Sequence, residues 1–196
     1  MGKSTIAVNL AYELARNSLK KAMHSPSALT HQVASEIAAY FRGSPDKALA
    51  EATSAIALDV NDPAGHLAMA TALMKSGKPN DAVESMRNAM RLDPHYPAFY
   101  LTRLGRAQYD LGQYAEAAVT LESSTRRNSQ DDRALIFLAA AYGHLERIEE
   151  AKSAVRSANT LRESIGWSKL NRADIGYRKW VSDRKNLQDG LAKAGV

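Results

Sequence analysis

The sequence contains no cysteine, which excludes disulfide bonds and metal sites that need a thiolate ligand. Glycine and proline are also scarce, at 11 and 6 of 196 residues, so this is not a low-complexity chain. No apolar run approaches the ~18 residues of a membrane span. No charged segment followed by an apolar one marks a signal peptide. We therefore expect a folded, cytoplasmic protein that does not associate with a membrane.

The repeat-containing centre of the chain has no net positive charge, which a nucleic-acid-binding protein of this kind would need there. The net charge is +3 over residues 1–42, −3 over residues 43–155 and +5 over residues 156–196. Because nucleic-acid binders carry a basic stripe on their working surface, we expect no nucleic-acid partner. The basic ends are interpreted as solvated. An alternative is self-association, in which the basic ends of one copy dock onto the acidic centre of another.

Small residues recur in this sequence with a regular period. Four alanines are spaced by 34, 35 and 34 residues, namely Ala48, Ala82, Ala117 and Ala151. Seven positions after each comes another small residue, and these are Ala55, Ala89, Ser124 and Ala158. A spacing of seven places both residues on one helix face, two turns apart. Self-similarity at 34 residues indicates stacked helix–turn–helix units, so we expect Ala82, Ala117 and Ala151 to be buried at helix contacts.

The organisation predicted from this period has three parts. Residues 1–28 form an N-terminal helical extension, residues 29–163 form four repeats of which the first is degenerate, and residues 164–196 form C-terminal capping helices. No segment alternates with period two long enough to predict a strand. The apolar residues expected to cover the last repeat are Trp167, Leu170, Ile175, Trp180, Leu187 and Leu191. The predicted fold class is all-α.

Several short motifs resemble the tetratricopeptide repeat (TPR) family. Leu104-Gly105, the turn Leu111-Gly112-Gln113-Tyr114 and Glu116-Ala117 match its consensus, and Asp93-Pro94 matches its helix-ending proline. The first repeat departs from it at Ser35, Glu36 and Val60. The resemblance implies a right-handed superhelical array with extra N- and C-terminal helices. It also implies a scaffold that binds proteins rather than an enzyme.

Two segments have a closer resemblance. Residues 91–101 resemble the TPR region that follows class III adenylate or guanylate cyclase domains, or a related signalling module, in bacterial proteins, and residues 187–195 are similar to the short closing helix of those proteins. No αβ sequence with metal-binding carboxylates precedes the repeats, so cyclase activity is not implied. The implied role is the docking or sensory part of a bacterial signalling protein.

The resemblance further implies that the first helix of each repeat lines a concave groove, where a partner binds. The groove residues that it predicts are Leu67, Thr71, Met74, Lys75, Phe99, Thr102, Arg106, Tyr109, Asp110, Arg133, Ile136, Ala140 and His144. Aromatic and arginine side chains of this kind often dominate binding energy. Alternatively, several of these residues pack against the extra terminal helices, and Arg106 merely pairs with Asp110 on the helix surface.

The expected ligand is a protein or peptide segment that carries an apolar anchor and a carboxylate, which an arginine can hold with two hydrogen bonds. Leu67 and Thr71 occupy the positions where the lysine/asparagine clamp of chaperone-binding TPRs would begin, which argues against chaperone tails. We expect replacement of Arg106 and Tyr109 by alanine to weaken binding at least tenfold, or about 1.4 kcal/mol, with little loss of stability.

An alternative function comes from Gly2-Lys3-Ser4-Thr5, which resembles the phosphate loop of ParA/MinD-type ATPases. A working loop needs the full G-x-x-x-x-G-K-[ST] pattern after a strand, and this sequence lacks the first glycine and the strand. An artefact at the start of the gene or a simple amphipathic helix explains the segment better. The histidines are scattered without metal-ligand spacing. We therefore predict no catalytic residues, no cofactor and no metal.

Overall fold

The computed structural model describes residues 27–166 and 184–195. All regular structure in this part of the chain is helical, as predicted. The elements are α1 (Ala28–Ile37) with a π-helical extension (Ala38–Arg42), α2 (Pro45–Leu58), α3 (Pro63–Lys75), α4 (Pro79–Leu92), α5 (Ala98–Asp110), α6 (Tyr114–Arg127), α7 (Asp132–His144), α8 (Ile148–Ser164) and α9 (Arg184–Lys193). Helices α1 to α8 form four antiparallel pairs, and each pair packs on the next.

Local sequence explains where most of these helices begin. Proline occupies the first turn of α2, α3 and α4, where its missing N–H costs no hydrogen bond. The Ser27 hydroxyl accepts a hydrogen bond from the Thr30 backbone N–H, and Thr30 Oγ1 accepts one from the Ser27 N–H. This reciprocal capping box starts α1. Asp62 and Asp131 cap α3 and α7 with their carboxylates, which accept hydrogen bonds from backbone N–H groups of the first turn.

The turns inside the second, third and fourth pairs use the left-handed backbone conformation at one equivalent position. Gly77 adopts it in the turn of the second pair, with φ of 69°, and Gly112 in the turn of the third pair, with φ of 75°. Glu146 adopts it in the turn of the fourth pair, with φ of 59°. Because a side chain is strained there, the fourth repeat has a less favourable turn than its neighbours.

The periodic alanines lie at the helix contacts, as predicted for Ala82, Ala117 and Ala151. Ala48, Ala82, Ala117 and Ala151 are each 0% exposed, and so is each small residue seven positions later. The third pair is equally tight at Gly105, where a Cβ atom would lie 2.6 Å from Leu121 Cγ. Small residues therefore set the distance between the helices throughout the array.

The two ends of the chain are described unequally. Residues 1–26, including Gly2-Lys3-Ser4-Thr5, lie outside the described residues, as do Trp167, Leu170, Ile175 and Trp180. Helix α9 is described: it packs mainly on α7 and only slightly on α8. Its Leu187 and Leu191 are each 1% exposed. No helix in the described part of the chain is long and apolar enough to cross a membrane.

Candidate functional site

The first helices of the four pairs, α1, α3, α5 and α7, are neighbours in the array. Residues one period apart occupy equivalent positions on them. Two rows of such positions follow the surface that the TPR resemblance predicts to be concave, and we call it the concave surface. The first row is Ile37, Thr71, Arg106 and Ala140, and the second, about one turn further along each helix, is Tyr40, Met74, Tyr109 and Gly143.

The N-terminal half of this surface contains a small open recess with a cavity volume of about 20 Å³. Its lining includes six side chains from the π-helical extension of α1, from α3 and from α5. We call it the basic recess and define it by these residues: Tyr40, Thr71, Met74, Lys75, Arg103 and Arg106. Lys75 Nζ lies 4.7 Å from the centroid of the Tyr40 ring, which is a cation–π distance. The recess therefore combines three cationic side chains with an aromatic ring and a methionine.

Arg103 belongs to the basic recess although the sequence pattern did not identify it. Its Nη1 donates hydrogen bonds to Glu36 Oε1 at 3.1 Å and to Thr71 Oγ1 at 2.6 Å. Its guanidinium lies 5.4 Å from the centroid of the Phe99 ring. These contacts join α1, α3 and α5 and hold the arginine in one orientation. The signal was available, because Arg103 lies one helical turn before Arg106.

Arg106 lies at the boundary between the two halves of the concave surface. Its Nε is 3.8 Å from Asp110 Oδ2, so the predicted alternative of an ion pair four residues apart is present. Its guanidinium also lies 5.5 Å from the centroid of the Phe137 ring on α7. Among the described residues, Arg106 Nε has no hydrogen-bond partner. Thr71, Met74, Lys75 and Arg106 are thus the predicted groove residues that meet at the basic recess.

The C-terminal half of the surface is filled by α9. Tyr109 and Ala140 are each 0% exposed, and Ile136 is also buried. A Cβ atom on Gly143 would collide with the carbonyl oxygen of Gly190, and one on Gly190 would lie 2.7 Å from the Ala140 carbonyl oxygen. The two helices therefore cross in direct backbone contact at a pair of glycines.

Polar groups fix the start of α9 beside this crossing. The Tyr109 hydroxyl donates to the backbone oxygen of Asn186 at 2.9 Å, and His144 Nε2 lies 2.9 Å from the same oxygen. Because a carbonyl oxygen only accepts, this contact is a hydrogen bond in the tautomer that carries the proton on His144 Nε2. The Tyr114 hydroxyl donates to Asn186 Oδ1 at 2.8 Å, and its ring stacks on His144 with centroids 4.1 Å apart. We call these three side chains, Tyr109, Tyr114 and His144, the latch.

Tyr109, Ala140 and His144 are therefore packed against a terminal helix, as the alternative interpretation stated. Tyr109 is not the exposed groove residue that the pattern predicted. Its replacement by alanine cannot leave stability unchanged, since a buried aromatic side chain would be lost. This burial argues against the prediction that Arg106 and Tyr109 can be replaced together at little cost in stability.

The remaining predicted groove residues lie outside both regions. Thr102 Oγ1 is buried at 2.8 Å from both Ser124 Oγ and Asp131 Oδ2, so it joins α5 to the next helices. Arg133 is 61% exposed and its Nε lies 3.6 Å from Asp131 Oδ1. Phe99 is 38% exposed. Leu67 is half-buried and packs with the core of the second pair.

The helix that α9 covers carries a sequence signal that the period alone did not reveal. In α7, every residue from Ala134 to Gly143 is buried. A helix that is apolar on all sides is buried on all sides. The equivalent stretch of α5 instead contains Arg103, Arg106 and Gln108. The apolar groove face of α7 therefore indicates a covering element.

No three His, Asp or Glu side chains of the described residues converge as around a metal ion.

Comparison with known proteins identifies the repeat. Residues 73–134 match the tetratricopeptide repeat family, whereas no curated protein matches the chain. PilW, a type IV pilus biogenesis factor, is 19% identical over 99% of this chain and 91% of its own, with a TM-score of 0.72.

Two further solved structures are similar. MamA from Desulfovibrio magneticus RS-1 (residues 41 to the end) is 23% identical over 93% of this chain and 88% of its own, with a TM-score of 0.59. YrrB, described as a TPR protein with an unusual peptide-binding site, is 16% identical over 90% of each chain, with a TM-score of 0.61. At these identities the likeness shows the fold, and together with the family match it identifies a superhelical array of TPR-type helix pairs.

Proposed function

We propose that this protein is a non-catalytic scaffold that binds a segment of a partner protein on its concave surface. The basic recess carries the proposal, because it is an opening on that surface where cationic and apolar side chains meet. Binding sites of this kind place a few polar groups among apolar ones, which fix the orientation of the ligand. The description of YrrB as peptide-binding supports this proposal by analogy of fold.

The chemistry of the basic recess defines the segment. Met74 and the Tyr40 ring provide an apolar surface, and Lys75 and Arg106 line the same opening. A carboxylate that enters between these cations gains charge-assisted hydrogen bonds. Arg103 is already held by Glu36 and Thr71, so it shapes the wall of the recess. We therefore propose a segment with one aliphatic or aromatic anchor next to an Asp, a Glu or a terminal carboxylate.

The place of this scaffold in the cell is a further part of the proposal. The resemblance of residues 91–101 to cyclase-associated TPR regions supports a docking or sensory role in bacterial signalling.

The alternative of a nucleotide-dependent switch rests on residues 2–5, which lie outside the described residues. Thermal unfolding with and without millimolar Mg-ATP separates the two classes, because a bound nucleotide would raise the melting temperature. We expect no shift.

The experiment is a selection from a random peptide library displayed on phage, with the full chain as bait. We expect enriched peptides to share a carboxylate beside an apolar residue. The Kd of one such peptide is then measured by fluorescence anisotropy with the wild type and with the Lys75→Ala/Arg106→Ala variant. Because the variant removes two cations of the basic recess, we expect at least a tenfold loss, or about 1.4 kcal/mol.

The matched control removes two cations outside the recess, by Arg126→Ala and Lys152→Ala. Both pair with glutamates of their own helices, Glu122 and Glu149. This control should bind the peptide like the wild type, and binding should weaken as salt is added. Enrichment of peptides without acidic residues, or equal losses in both double variants, would refute the basic recess as the binding site.

A further inference from the structure

The C-terminal half of the concave surface holds a helix in a groove, and both partners belong to the same chain. The face of α9 that meets the array consists of Leu187, Gly190, Leu191 and Ala194, and all four are buried. Their spacing of i, i+3, i+4 and i+7 is that of one face of a helix. Lys185, Asp189, Ala192 and Lys193 are exposed on the other side. Helix α9 is thus a short amphipathic helix with one docking face.

The receiving surface is specialised for such a helix. Its positions in the two concave rows are Ala140 and Gly143, the smallest residues in those rows. The equivalent positions on α5 hold Arg106 and Tyr109, whose longer side chains separate the backbones of α5 and α9, so that Tyr109 meets α9 through its hydroxyl. Backbone contact at Gly143 and Gly190 requires that neither residue carry a Cβ atom. The crossing therefore selects a helix with glycine at this one position.

The latch adds a second element of recognition. Tyr109 and His144 bind the backbone oxygen of Asn186, a group that any residue offers. Tyr114 contacts the side chain of Asn186 through its Oδ1 atom. The latch therefore tolerates different sequences, whereas the apolar face and the glycine do not.

Helix α9 depends on this docking for its structure. A ten-residue helix is marginal in water without tertiary contacts. Residues 167–183 attach it covalently to α8, so α9 stays near the groove after it leaves. A tethered segment of this length competes with an external ligand at a high effective concentration. The tether therefore opposes displacement of α9, and a partner's helix must overcome this competition to take its place.

We propose that the surface around Ala140, Gly143 and the latch is a helix-binding site that α9 fills and that a partner's helix takes over. The partner helix carries the face Leu-x-x-Gly-Leu-x-x-Ala. The inference deepens the proposed function, because the same concave surface then offers a basic recess for an acidic segment and an exchangeable site for an amphipathic helix.

The test supplies the α9 sequence to the full chain as a separate molecule. The probe is a fluorescein-labelled peptide of residues 184–195, and binding is followed by anisotropy. In the Gly190→Leu variant the chain's own helix can no longer cross α7, so the site is vacant. We expect the peptide to bind this variant at least tenfold more tightly than the wild type. The control is Ala192→Leu, which adds bulk on the exposed side of α9 and should behave like the wild type.

A second variant that releases α9 keeps the test valid if Gly190→Leu misfolds. We call Gly190→Leu and this second variant the release variants. Leu187→Ser/Leu191→Ser weakens only the docking face of α9 and leaves the receiving surface intact. The proposal would be overturned if the peptide bound neither release variant. It would also be overturned if the peptide bound the wild type and both release variants equally. So would undiminished binding of a peptide that itself carries Gly190→Leu.

The class of partner is tested with a designed host peptide. An Ala/Glu/Lys helix that keeps only the Leu-x-x-Gly-Leu-x-x-Ala face should bind the release variants within about tenfold of the α9 peptide. The same host with leucine in place of glycine should not bind. If the host fails while the α9 peptide binds, the proposed partner class is wrong. These readouts do not involve Lys75, so they stand or fall separately from the acidic segment at the basic recess.

Discussion

The two halves of the concave surface are built from equivalent positions, but one half is open and the other is covered by α9. In the N-terminal half, Thr71 and Met74 line an open recess together with Lys75. In the C-terminal half, Ala140 and Gly143 occupy the same rows and lie beneath α9. The repeat period makes the backbones alike, so the difference comes from the side chains. Small residues admit a helix, and larger, partly charged residues leave room only for a thinner segment.

The largest effect that would sharpen this comparison comes from removing an aromatic ring in each half. Tyr109→Ala should lower the free energy of unfolding by about 3–5 kcal/mol, because the ring is fully buried and its hydroxyl holds α9. Tyr40→Ala, its counterpart in the open half, should cost less than about 1 kcal/mol. Urea denaturation followed by circular dichroism measures both. Similar losses in the two variants would remove the distinction between the halves.

The glycine crossing gives the next largest effect. Gly143→Leu should cost about 2–4 kcal/mol, since it expels α9 and exposes Leu187 and Leu191. Met74→Leu places the same side chain at the equivalent position of the open half and should cost less than about 1.5 kcal/mol. The urea midpoints of the two variants provide the comparison. A harmless Gly143→Leu change would mean that α9 does not dock as described.

The latch should contribute less than the apolar face. Asn186→Ala removes the acceptor for the Tyr114 hydroxyl and leaves the backbone oxygen for Tyr109 and His144. We expect a loss of about 1 kcal/mol, the usual net value of one hydrogen bond. The Asn186→Ala/Tyr114→Phe double variant should then cost about the same as Asn186→Ala alone. Strictly additive losses in this double-mutant cycle would show that the two side chains do not interact.

The smallest effect concerns the turn that precedes α8. Glu146→Gly should stabilise the protein by about 0.5–1 kcal/mol, because glycine adopts the left-handed conformation without strain. Gly112→Ala, the opposite change at the equivalent turn, should destabilise it by about 1 kcal/mol. Thermal unfolding of both variants tests whether the fourth repeat owes its stability to α9 rather than to its turn. A melting temperature that falls in Glu146→Gly would contradict this interpretation.

Much of the array could be predicted because its information is local and repeated. The period of the buried alanines fixes the helix pairs, and the turn glycines and first-turn prolines fix their ends. Those features depend on residues within one repeat. The prediction that Ala82, Ala117 and Ala151 pack at helix contacts is confirmed for the same reason.

The site could be predicted only in part, because occupancy of the groove depends on residues far apart in sequence. Nothing near Tyr109 indicates that Asn186, 77 residues later, will cover it. The contact of Arg103 with Glu36 spans 67 residues and was missed for the same reason. Two signals did exist in the sequence: the apolar groove face of α7, and the replacement of Arg106 and Tyr109 by Ala140 and Gly143 one period later. Comparing repeats position by position would have revealed both.

Hydrogen exchange of α9 in the full-length protein tests the central claim most directly. A free ten-residue helix would exchange its amides almost as fast as an unfolded chain. If α9 fills the C-terminal half of the groove, the amides of Gly190 and Leu191 should be protected within about tenfold of those of Ala139 and Ala140 in α7. Exchange of the α9 amides at unprotected rates, while the α7 amides stay protected, would contradict the account.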